Sequence, residues 1–160
     1  MILRKRAWDI VKEMNSVFAE EQLSEVMKKL DAALLKAPEN HTLFVTDKEG
    51  LLLGTVSVWD ILSFASDSLM EYGIGKDADG MDIDQAVMAV CRKFADMPIS
   101  SIMSNSVQRV KPSDPLVFIL DKFLRGGRST AVVEEGGRVI GGISIVDIYR
   151  EICSGLVGRE

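Results

Sequence analysis

The chain has 160 residues, two cysteines, a formal net charge of −5 and a sequence pI of about 5.0. A chain of this length can bury one or two cores without disulfides or a structural metal, and its deficit of basic residues argues against a nucleic-acid binder. No apolar run approaches the roughly 20 residues of a membrane span and no signal peptide is recognisable, so we expect a cytoplasmic protein without membrane contact.

The charge is distributed unevenly. Residues 100–160 hold eight Lys or Arg against seven Asp or Glu, which leaves 19 − 8 = 11 basic and 24 − 7 = 17 acidic residues before them. An anionic ligand is therefore expected to prefer the second half of the chain.

The N-terminal part of the chain carries two helical patterns. Apolar residues recur at helical spacing over residues 3–14, which predicts a short amphipathic helix. A second stripe over residues 23–34 predicts a helix that ends before a proline. Between them, residues 15–17 read Asn-Ser-Val, and the same tripeptide returns at residues 105–107.

A predicted β-hairpin follows, and most of it occurs twice. Residues 43–62 contain a short apolar strand, an acidic turn that ends in glycine, a second strand and the start of a helix. Residues 130–149 can be laid over them without a gap, and the shift pairs Asp60 with Asp147 (147 − 60 = 87). Glycine at the end of the turn fits a type I turn followed by a bulge. The duplication predicts two copies of one structural unit.

Residues 66–97 belong to neither copy and are predicted to be a linker. The stretch 73–84 is rich in glycine and aspartate, but methionine stands at two positions where a calcium loop needs carboxylates, so a polar linker is favoured. An apolar stripe over residues 83–94 then predicts a helix, capped by Asp82 and ended by Pro98.

The helix that precedes the second hairpin has clear boundaries. Ser113 or Asp114 can cap it, Pro115 suits its first turn, and the pair Gly126-Gly127 ends it. Because one strand-helix-strand-strand-helix unit is too small to bury both faces of its sheet, we predict an α+β fold. Two β-α-β-β-α repeats pack sheet to sheet in it with pseudo-twofold symmetry, and a linker helix lies beside them. The predicted boundaries are 1–65 for the first repeat, 66–97 for the linker and 98–160 for the second repeat.

Catalytic machinery is poorly supported. The single histidine, His41, has no glycine-elbow serine near it, and with Cys91 and Cys153 it lacks the paired spacing of a zinc site. Both cysteines lie in apolar helical patterns typical of reduced, buried thiols. No glycine-rich phosphate loop ending in Lys-Ser/Thr occurs. We therefore predict neither an enzyme nor a bound metal.

The repeated Ser-x-x-Asp has two interpretations. Serine at a helix N-cap with an acidic residue three positions on is a variant of the capping box, which contributes about 0.5–2 kcal/mol to a helix start. The same geometry suits a ligand, because free N–H groups and the helix dipole attract phosphate and the carboxylate can accept hydrogen bonds from ribose hydroxyls. Glycines upstream, Gly54 and the pair Gly141-Gly142, would let a ligand approach the strand backbone. Spacing alone favours capping.

The duplicated unit resembles a tandem pair of cystathionine-beta-synthase (CBS) domains, a Bateman module. The features that carry the resemblance are the two strands joined by an acidic-glycine turn, the Ser-x-x-Asp-Ile that opens a helix, and the preceding Asn-Ser-Val. It covers nearly the whole chain except residues 66–97. The second copy matches closely from Ile102 to Asp147, whereas the first copy has a shorter, acidic loop at residues 18–22.

The resemblance implies a regulatory module that binds an adenosine compound between the two copies. AMP, ADP, ATP and S-adenosylmethionine are the candidates. Carried over by motif position, Asp60 and Asp147 would accept the ribose hydroxyls. Ser57 and Ser144 would contact phosphate or ribose oxygens.

Adenine and phosphate contacts are also implied by the resemblance. The backbone from Val107 to Val110 would hold adenine, and Arg128 would bind phosphate because a guanidinium can bond it bidentately. By the shift of the repeat, the counterpart of Arg128 is His41, a weaker and pH-dependent cation. The pair Glu20-Glu21 would repel a phosphate in the first cleft. We therefore expect the second motif to be the occupied site, with Arg109, Lys111 and Arg128 around it.

These observations favour a stand-alone regulatory protein that binds an adenine nucleotide, forms a homodimer and signals occupancy to an unidentified protein effector. Methionines on apolar helical faces are candidates for the dimer contact, although core filling is the simpler role for any one of them. The alternatives are an interaction domain without a ligand, an S-adenosylmethionine binder, and a nucleotide enzyme for which no nucleophile or base is evident. The methionines are Met14, Met27, Met70 and Met103.

Overall fold

The computed structural model describes residues 4–71 and 83–158 and contains two repeats of the same topology. Each repeat has the predicted order of strand, helix, strand, strand, helix. A short helix, α1 (Ala7–Ile10), precedes the first repeat, which comprises β1 (Ser16–Phe18), α2 (Leu23–Lys36), β2 (Thr42–Thr46), β3 (Leu52–Ser57) and α3 (Val58–Glu71). Next come α4 (Ile83–Phe94), a 3-10 turn (Ile99–Ser101) and the second repeat, β4 (Arg109–Val110), α5 (Leu116–Gly126), β5 (Thr130–Glu135), β6 (Arg138–Ser144) and α6 (Ile145–Val157).

Each repeat folds into a three-stranded sheet, with strand orders β1-β2-β3 and β4-β5-β6. The first two strands of each sheet are parallel, and a hairpin makes the last pair antiparallel. Apolar residues alternate along β3, where Leu52 and Val56 are buried, so one face of the sheet turns inward. The hairpin glycines Gly50 and Gly137 have positive φ, as the predicted turns require.

The two sheets face each other across a shared apolar layer. Each repeat has a core of its own between sheet and helices. A third cluster joins Phe44 and Leu52 of the first sheet to Val132 of the second, with Met14 and Val107 packed against it. Because a single repeat leaves one sheet face uncovered, this layer accounts for the pairing. The predicted α+β fold with sheet-to-sheet packing is confirmed.

The segments that precede the two repeats are exchanged between them. Near the N-terminus, the Ala7 N–H donates to the Asp114 carbonyl at 2.9 Å, and Lys12 forms a two-way bridge with Gly142. In the same manner, the Ile99 N–H donates to the Glu21 carbonyl at 2.8 Å and Ser104 bridges Thr55. Each repeat is thus completed by the segment that precedes the other repeat in the sequence.

This exchange corrects the predicted N-terminal helix. Helix α1 covers only Ala7–Ile10, whereas we predicted one over residues 3–14. The chain leaves the helix at Val11 because Lys12 has to run extended to pair with Gly142. The buried side chain of Ala7 packs in the core of the second repeat.

The two hairpins do not superpose without a gap. In the first, residues 47–51 lie between the paired Thr46 and Leu52, whereas in the second only residues 135–138 lie between Glu134 and Val139. The longer turn is closed by the Asp47 carboxylate, which accepts from the Leu51 N–H at 2.9 Å. Equivalent residues after the turn are therefore 87 positions apart in the sequence. Equivalent residues before the turn are 87 + 1 = 88 positions apart.

Two of the predicted equivalences between the repeats need correction. The Val58 N–H donates to the carbonyl of His41 and the Ile145 N–H to that of Ser129, so His41 corresponds to Ser129 and not to Arg128. The second concerns the Asn-Ser-Val echo, which is not a structural repeat. Val17 pairs with Val45 in the first sheet as Val110 pairs with Val133 in the second, so Val17 corresponds to Val110. Residues 15–17 lead into and form part of β1, whereas residues 105–107 lie before the equivalent strand, β4.

The helices largely follow their sequence signals. Helix α4 lies where the apolar stripe predicted it, while its proposed cap Asp82 and most of the 73–84 stretch lie outside the described residues. Helix α5 ends at Gly126, and its C-cap residue Gly127 has a φ of +61°. Its predicted side-chain cap is wrong. Pro115 occupies the N-cap position, and the Asp114 carboxylate accepts from the Lys111 N–H at 2.8 Å instead.

Of the four candidate contact methionines, two are half-buried and pack against apolar clusters of the molecule. Met14 packs against the layer between the sheets, and Met103 packs against the first core. Met27 on α2 and Met70 on α3 are exposed. Only the exposed pair remains available to another molecule.

Candidate functional site

Both Ser-x-x-Asp motifs cap the helix that follows them. The Ser57 N–H donates to Asp60 Oδ2 at 2.7 Å, and the Asp60 N–H returns a bond to Ser57 Oγ at 3.3 Å. In the second repeat the corresponding distances between Ser144 and Asp147 are 2.8 and 3.2 Å. The capping interpretation is therefore correct for both motifs. In each, capping uses the carboxylate oxygen Oδ2 and does not involve the other, Oδ1.

The two aspartates differ in what meets this second oxygen. Lys12 Nζ lies 3.2 Å from Asp147 Oδ1 and forms an ion pair with it. Asp60 Oδ1 has no hydrogen-bond partner among the residues that the structure describes. Asp60 thus keeps an acceptor that Asp147 has already used.

A cavity of about 310 Å³ opens at Asp60, between the two repeats. This volume lies at the lower end of the roughly 300–1,000 Å³ typical of small-molecule sites. We call it the Asp60 cleft. The first repeat lines it with His41, Thr42, Thr55, Ser57, Trp59 and Asp60, and the second with Ser104, Ser106, Val107, Gln108, Gly127, Arg128, Ser129, Thr130 and Val132.

The cleft combines one carboxylate, one guanidinium and a histidine. Arg128 is the one Lys or Arg among the described residues that line it, and its Nη2 donates to Ser106 Oγ at 2.6 Å. His41 has its Nε2 3.5 Å from Ser129 Oγ and its Nδ1 3.3 Å from Thr42 Oγ1. Hydroxyl groups and the N-terminus of α3 make up most of the remaining polar lining.

The predicted site residues are divided between two places. Ser57 and Asp60 share the Asp60 cleft with Val107 and Arg128 of the other repeat. The expectation that Arg128 accompanies Asp147 is therefore wrong, because the exchanged segments bring the start of one repeat to the motif of the other. Ser144 is only 4% exposed, and neither it nor Asp147 lines the Asp60 cleft.

Three further expectations about this region need correction. Val110 is buried in the second core and lines a separate groove rather than the cleft. The Arg109 guanidinium forms two bonds to the Glu134 carboxylate, of 2.9 and 3.0 Å, and Arg109 lies with Lys111 in that same groove. Glu20 and Glu21 are not among the described residues that line the cleft, so they do not stand where they were predicted to repel a phosphate.

The neighbourhood of Asp147 has its charges paired within the chain. Besides the bond from Lys12, the Arg150 guanidinium lies 3.2 Å from the Glu39 carboxylate. A backbone hydrogen bond within Glu39, and then the nearby cations Arg150 and Lys12, lower the pKa of that carboxyl. A smaller cavity of about 180 Å³ opens beside Met14 and Thr42, but Ser144 and Asp147 are not among its lining residues.

Sequence reasoning missed several residues of the cleft. Trp59 stands inside the first Ser-x-x-Asp, and its side chain is 74% exposed at the cleft. Gln108 also lines the cleft, and its Oε1 is a buried acceptor without a hydrogen-bond partner among the described residues. The position of Trp59 within the motif was a usable signal. Gln108 lies within the backbone range from Val107 to Val110 that was predicted to hold adenine, but nothing in the sequence indicated that its side chain lines the cleft.

The described residues contain neither a group of three or more His, Cys, Asp or Glu side chains arranged to hold a metal ion nor a helix long and apolar enough to cross a membrane. Cys91 and Cys153 are free thiols, and neither is buried as predicted, since Cys91 is exposed and Cys153 is half-buried. Its helix, α4, buries only Val90 among its residues.

Comparison with known proteins agrees with this fold. The family model for the CBS domain matches the chain over residues 8–67 and 99–154. None of the curated protein sequences matches it. Among solved structures, the CBS domain of a CBS domain containing membrane protein from Sphaerobacter thermophilus is 21% identical, covers 93% of this chain and 88% of its own, and has a TM-score of 0.70.

Two further similar structures contain bound ligands. CBSX2 in complex with AMP is 17% identical, with coverage of 96% of this chain and 98% of its own and a TM-score of 0.67. The CBS domain pair of protein MJ0100, in complex with 5′-methylthioadenosine and S-adenosyl-L-methionine, is 18% identical, with coverage of 94% and 98% and a TM-score of 0.64. At these identities the likeness concerns the fold.

Proposed function

This chain belongs to the CBS domain family as a tandem pair, and from that premise we propose that it is a regulatory module that binds an adenosine ligand in the Asp60 cleft. The observation that carries the proposal is the meeting of Asp60 and Arg128, from different repeats, in one cavity. Such a cavity offers an acceptor for ribose hydroxyls and a cation for phosphate at the same place. We propose binding without turnover of the ligand.

The ribose contact is assigned to the free oxygen of Asp60. Capping holds the carboxylate in place through its Oδ2, at 2.7 Å from the Ser57 N–H, and so presents Oδ1 in a fixed direction. A preordered acceptor costs little conformational entropy when a ligand binds. The N-terminus of α3 adds the positive end of a helix dipole beside the same carboxylate.

The phosphate and the base have separate partners in this proposal. Arg128 would exchange its bond to Ser106 for a charge-assisted bond to phosphate. Val107 and Val132 provide apolar surface for adenine, and the exposed Trp59 ring can stack on it. A single guanidinium matches a single phosphate, which favours AMP over ADP and ATP.

Two related structures support an adenosine ligand but do not distinguish between the candidate compounds. One was solved with AMP and the other with 5′-methylthioadenosine and S-adenosyl-L-methionine. The adenosine half is common to all three compounds. S-adenosylmethionine therefore stays a candidate, and the experiment has to include it.

We further propose that the protein is a cytoplasmic homodimer that reports occupancy to a protein effector. Apolar side chains exposed on the helices of the first repeat, among them Met27, Leu62 and Met70, support a helix-mediated contact. A ligand in the Asp60 cleft touches both repeats and can change how they sit together only if it binds one arrangement more tightly than another.

Calorimetric titration of the unaltered protein with AMP, ATP and S-adenosylmethionine tests this function, with GMP as the control for the base. We expect saturable binding of AMP and none of GMP. Native mass spectrometry of the same sample reports subunit count and bound ligand, and chromatography of the recovered AMP should show it unchanged. Absence of binding by all three adenosine compounds at millimolar concentration would favour an interaction domain without a ligand.

A further inference from the structure

The internal symmetry gives the Asp60 cleft a counterpart at Asp147. Ser104 bridges Thr55 in the first, and Lys12 bridges Gly142 at the equivalent position of the second. The same symmetry relates Val107 to Met14. Val107 precedes Gln108, whose carbonyl accepts from an N–H of β5, and Met14 precedes Asn15, whose carbonyl accepts from an N–H of β2. We call the region of Lys12, Met14, Phe44 and Asp147 the Asp147 cleft.

Lys12 contacts the oxygen of Asp147 that corresponds to the ribose acceptor proposed at Asp60. Its Nζ lies 3.2 Å from Asp147 Oδ1, the oxygen that is free at Asp60. The side chain is held at its base, since the Lys12 backbone forms two bonds with Gly142, of 2.9 and 3.1 Å. In the Asp60 cleft the equivalent residue is Ser104, whose short side chain cannot reach a carboxylate in this way.

Larger side chains also fill the apolar part of the Asp147 cleft. Phe44 stands where the Asp60 cleft has Val132, since the N–H groups of these two residues donate to equivalent carbonyls, those of Asn15 and Gln108. Phe44 is fully buried, and both its ring and the Met14 sulfur pack on Gly142 so closely that a Cβ there would collide with them. Methionine and phenylalanine thus replace two valines at the surface offered to adenine.

We propose that this chain has a single adenosine site, because Lys12, Met14 and Phe44 close its second cleft from within. The proposal rests on the function proposed for the Asp60 cleft. Lys12 supplies the cation that neutralises Asp147, and the two large apolar side chains take up the volume of the base. The duplicated motif is retained at Asp147 for capping α6, where Ser144 and Asp147 exchange both bonds of the capping box.

The stoichiometry of AMP binding tests the single site on the unaltered protein. Calorimetry should give one AMP per chain, and Asp147→Asn should leave that number and the affinity within about twofold. Asp60→Asn should weaken AMP binding at least tenfold. Two AMP per unaltered chain would overturn the single site and leave the adenosine proposal standing, whereas no binding would overturn both.

A gain of binding tests the residues that close the cleft. In an Asp60→Asn background, Lys12→Ser with Met14→Val and Phe44→Val copies three residues of the open cleft and should raise AMP affinity at least about tenfold over that background. Adding Asp147→Asn should abolish the gain. Lys12→Arg with Met14→Val and Phe44→Val retains the cation and is the matched control, with no gain expected.

Each protein is first checked by thermal unfolding. Should the triple variant not fold, Lys12→Ser alone in the Asp60→Asn background removes no core atom, and we expect it to bind AMP more tightly than that background by at least about threefold. Failure of the folded triple variant to gain AMP binding would overturn the assignment of Lys12, Met14 and Phe44 while the Asp60 site stands.

Discussion

Asp60 and Arg128 line the same cavity although they belong to different repeats. The cause is the exchange of the segments that precede the repeats, which brings the start of the second repeat to the motif of the first through the bridge between Ser104 and Thr55. A ligand that contacts both residues would join the repeats. Under the proposed function, occupancy would change how the two repeats sit together.

Arg128→Ala should weaken AMP binding by about tenfold or more and leave binding of adenosine within about twofold. A charge-assisted hydrogen bond contributes about 1.5–3 kcal/mol, and adenosine has no phosphate to lose it. Calorimetry with both compounds measures the difference. Arg125→Ala is the matched control, since Arg125 is exposed, pairs with Asp121 and lies outside the cleft lining. Equal losses for adenosine and AMP would remove Arg128 from the phosphate contact.

Trp59 should report ligand binding by fluorescence. The chain has two tryptophans, and Trp8 lies in a separate groove. In a Trp8→Phe protein, AMP should change the remaining tryptophan emission in a saturable way, because stacking on adenine alters the surroundings of the indole. The Trp59→Phe protein retains Trp8 and should show no such change. A response from Trp8 alone would place the ligand elsewhere.

Gly54→Ala and Gly141→Ala should each destabilise the protein by about 1–3 kcal/mol. A Cβ at Gly54 would lie 2.5 Å from the Ser104 carbonyl oxygen, and one at Gly141 would collide with the Lys12 carbonyl. Both changes therefore force the exchanged segments off the sheets. Urea unfolding gives the free energies. Gly155→Ala, on α6 with no atom within 4 Å of the added Cβ, should stabilise by about 0.5–1 kcal/mol. An unaffected Gly54→Ala protein would contradict the close contact.

Much of the fold was predictable because its signals are local. The hairpin, its glycines and the Ser-x-x-Asp caps are read from neighbouring residues, and the repetition fixed the topology of each unit. The composition of the cleft was not predictable in the same way. The place of Arg128 depends on contacts between distant segments. Because the first turn is longer by one residue, His41 corresponds to Ser129 and not to Arg128.

The ion pair between Lys12 and Asp147 could not be predicted from the sequence either. Nothing in residues 3–14 marks Lys12 as the partner of a carboxylate far along the chain, because the pattern there predicts a helix and the structure has an extended segment from Val11. The charges that flank each motif within its own repeat favour the second motif as the occupied site. The structure places residues of the other repeat at the first motif, and for this reason we propose the Asp60 cleft instead.

Side-by-side calorimetric titration of Asp60→Asn and Asp147→Asn with AMP tests the central claim most directly. The two changes are matched, since each removes the carboxylate of a capping box and keeps its volume. We predict that Asp60→Asn weakens AMP binding at least tenfold and that Asp147→Asn changes it by less than about twofold. Equal losses, or a larger loss in Asp147→Asn, would contradict binding at the Asp60 cleft.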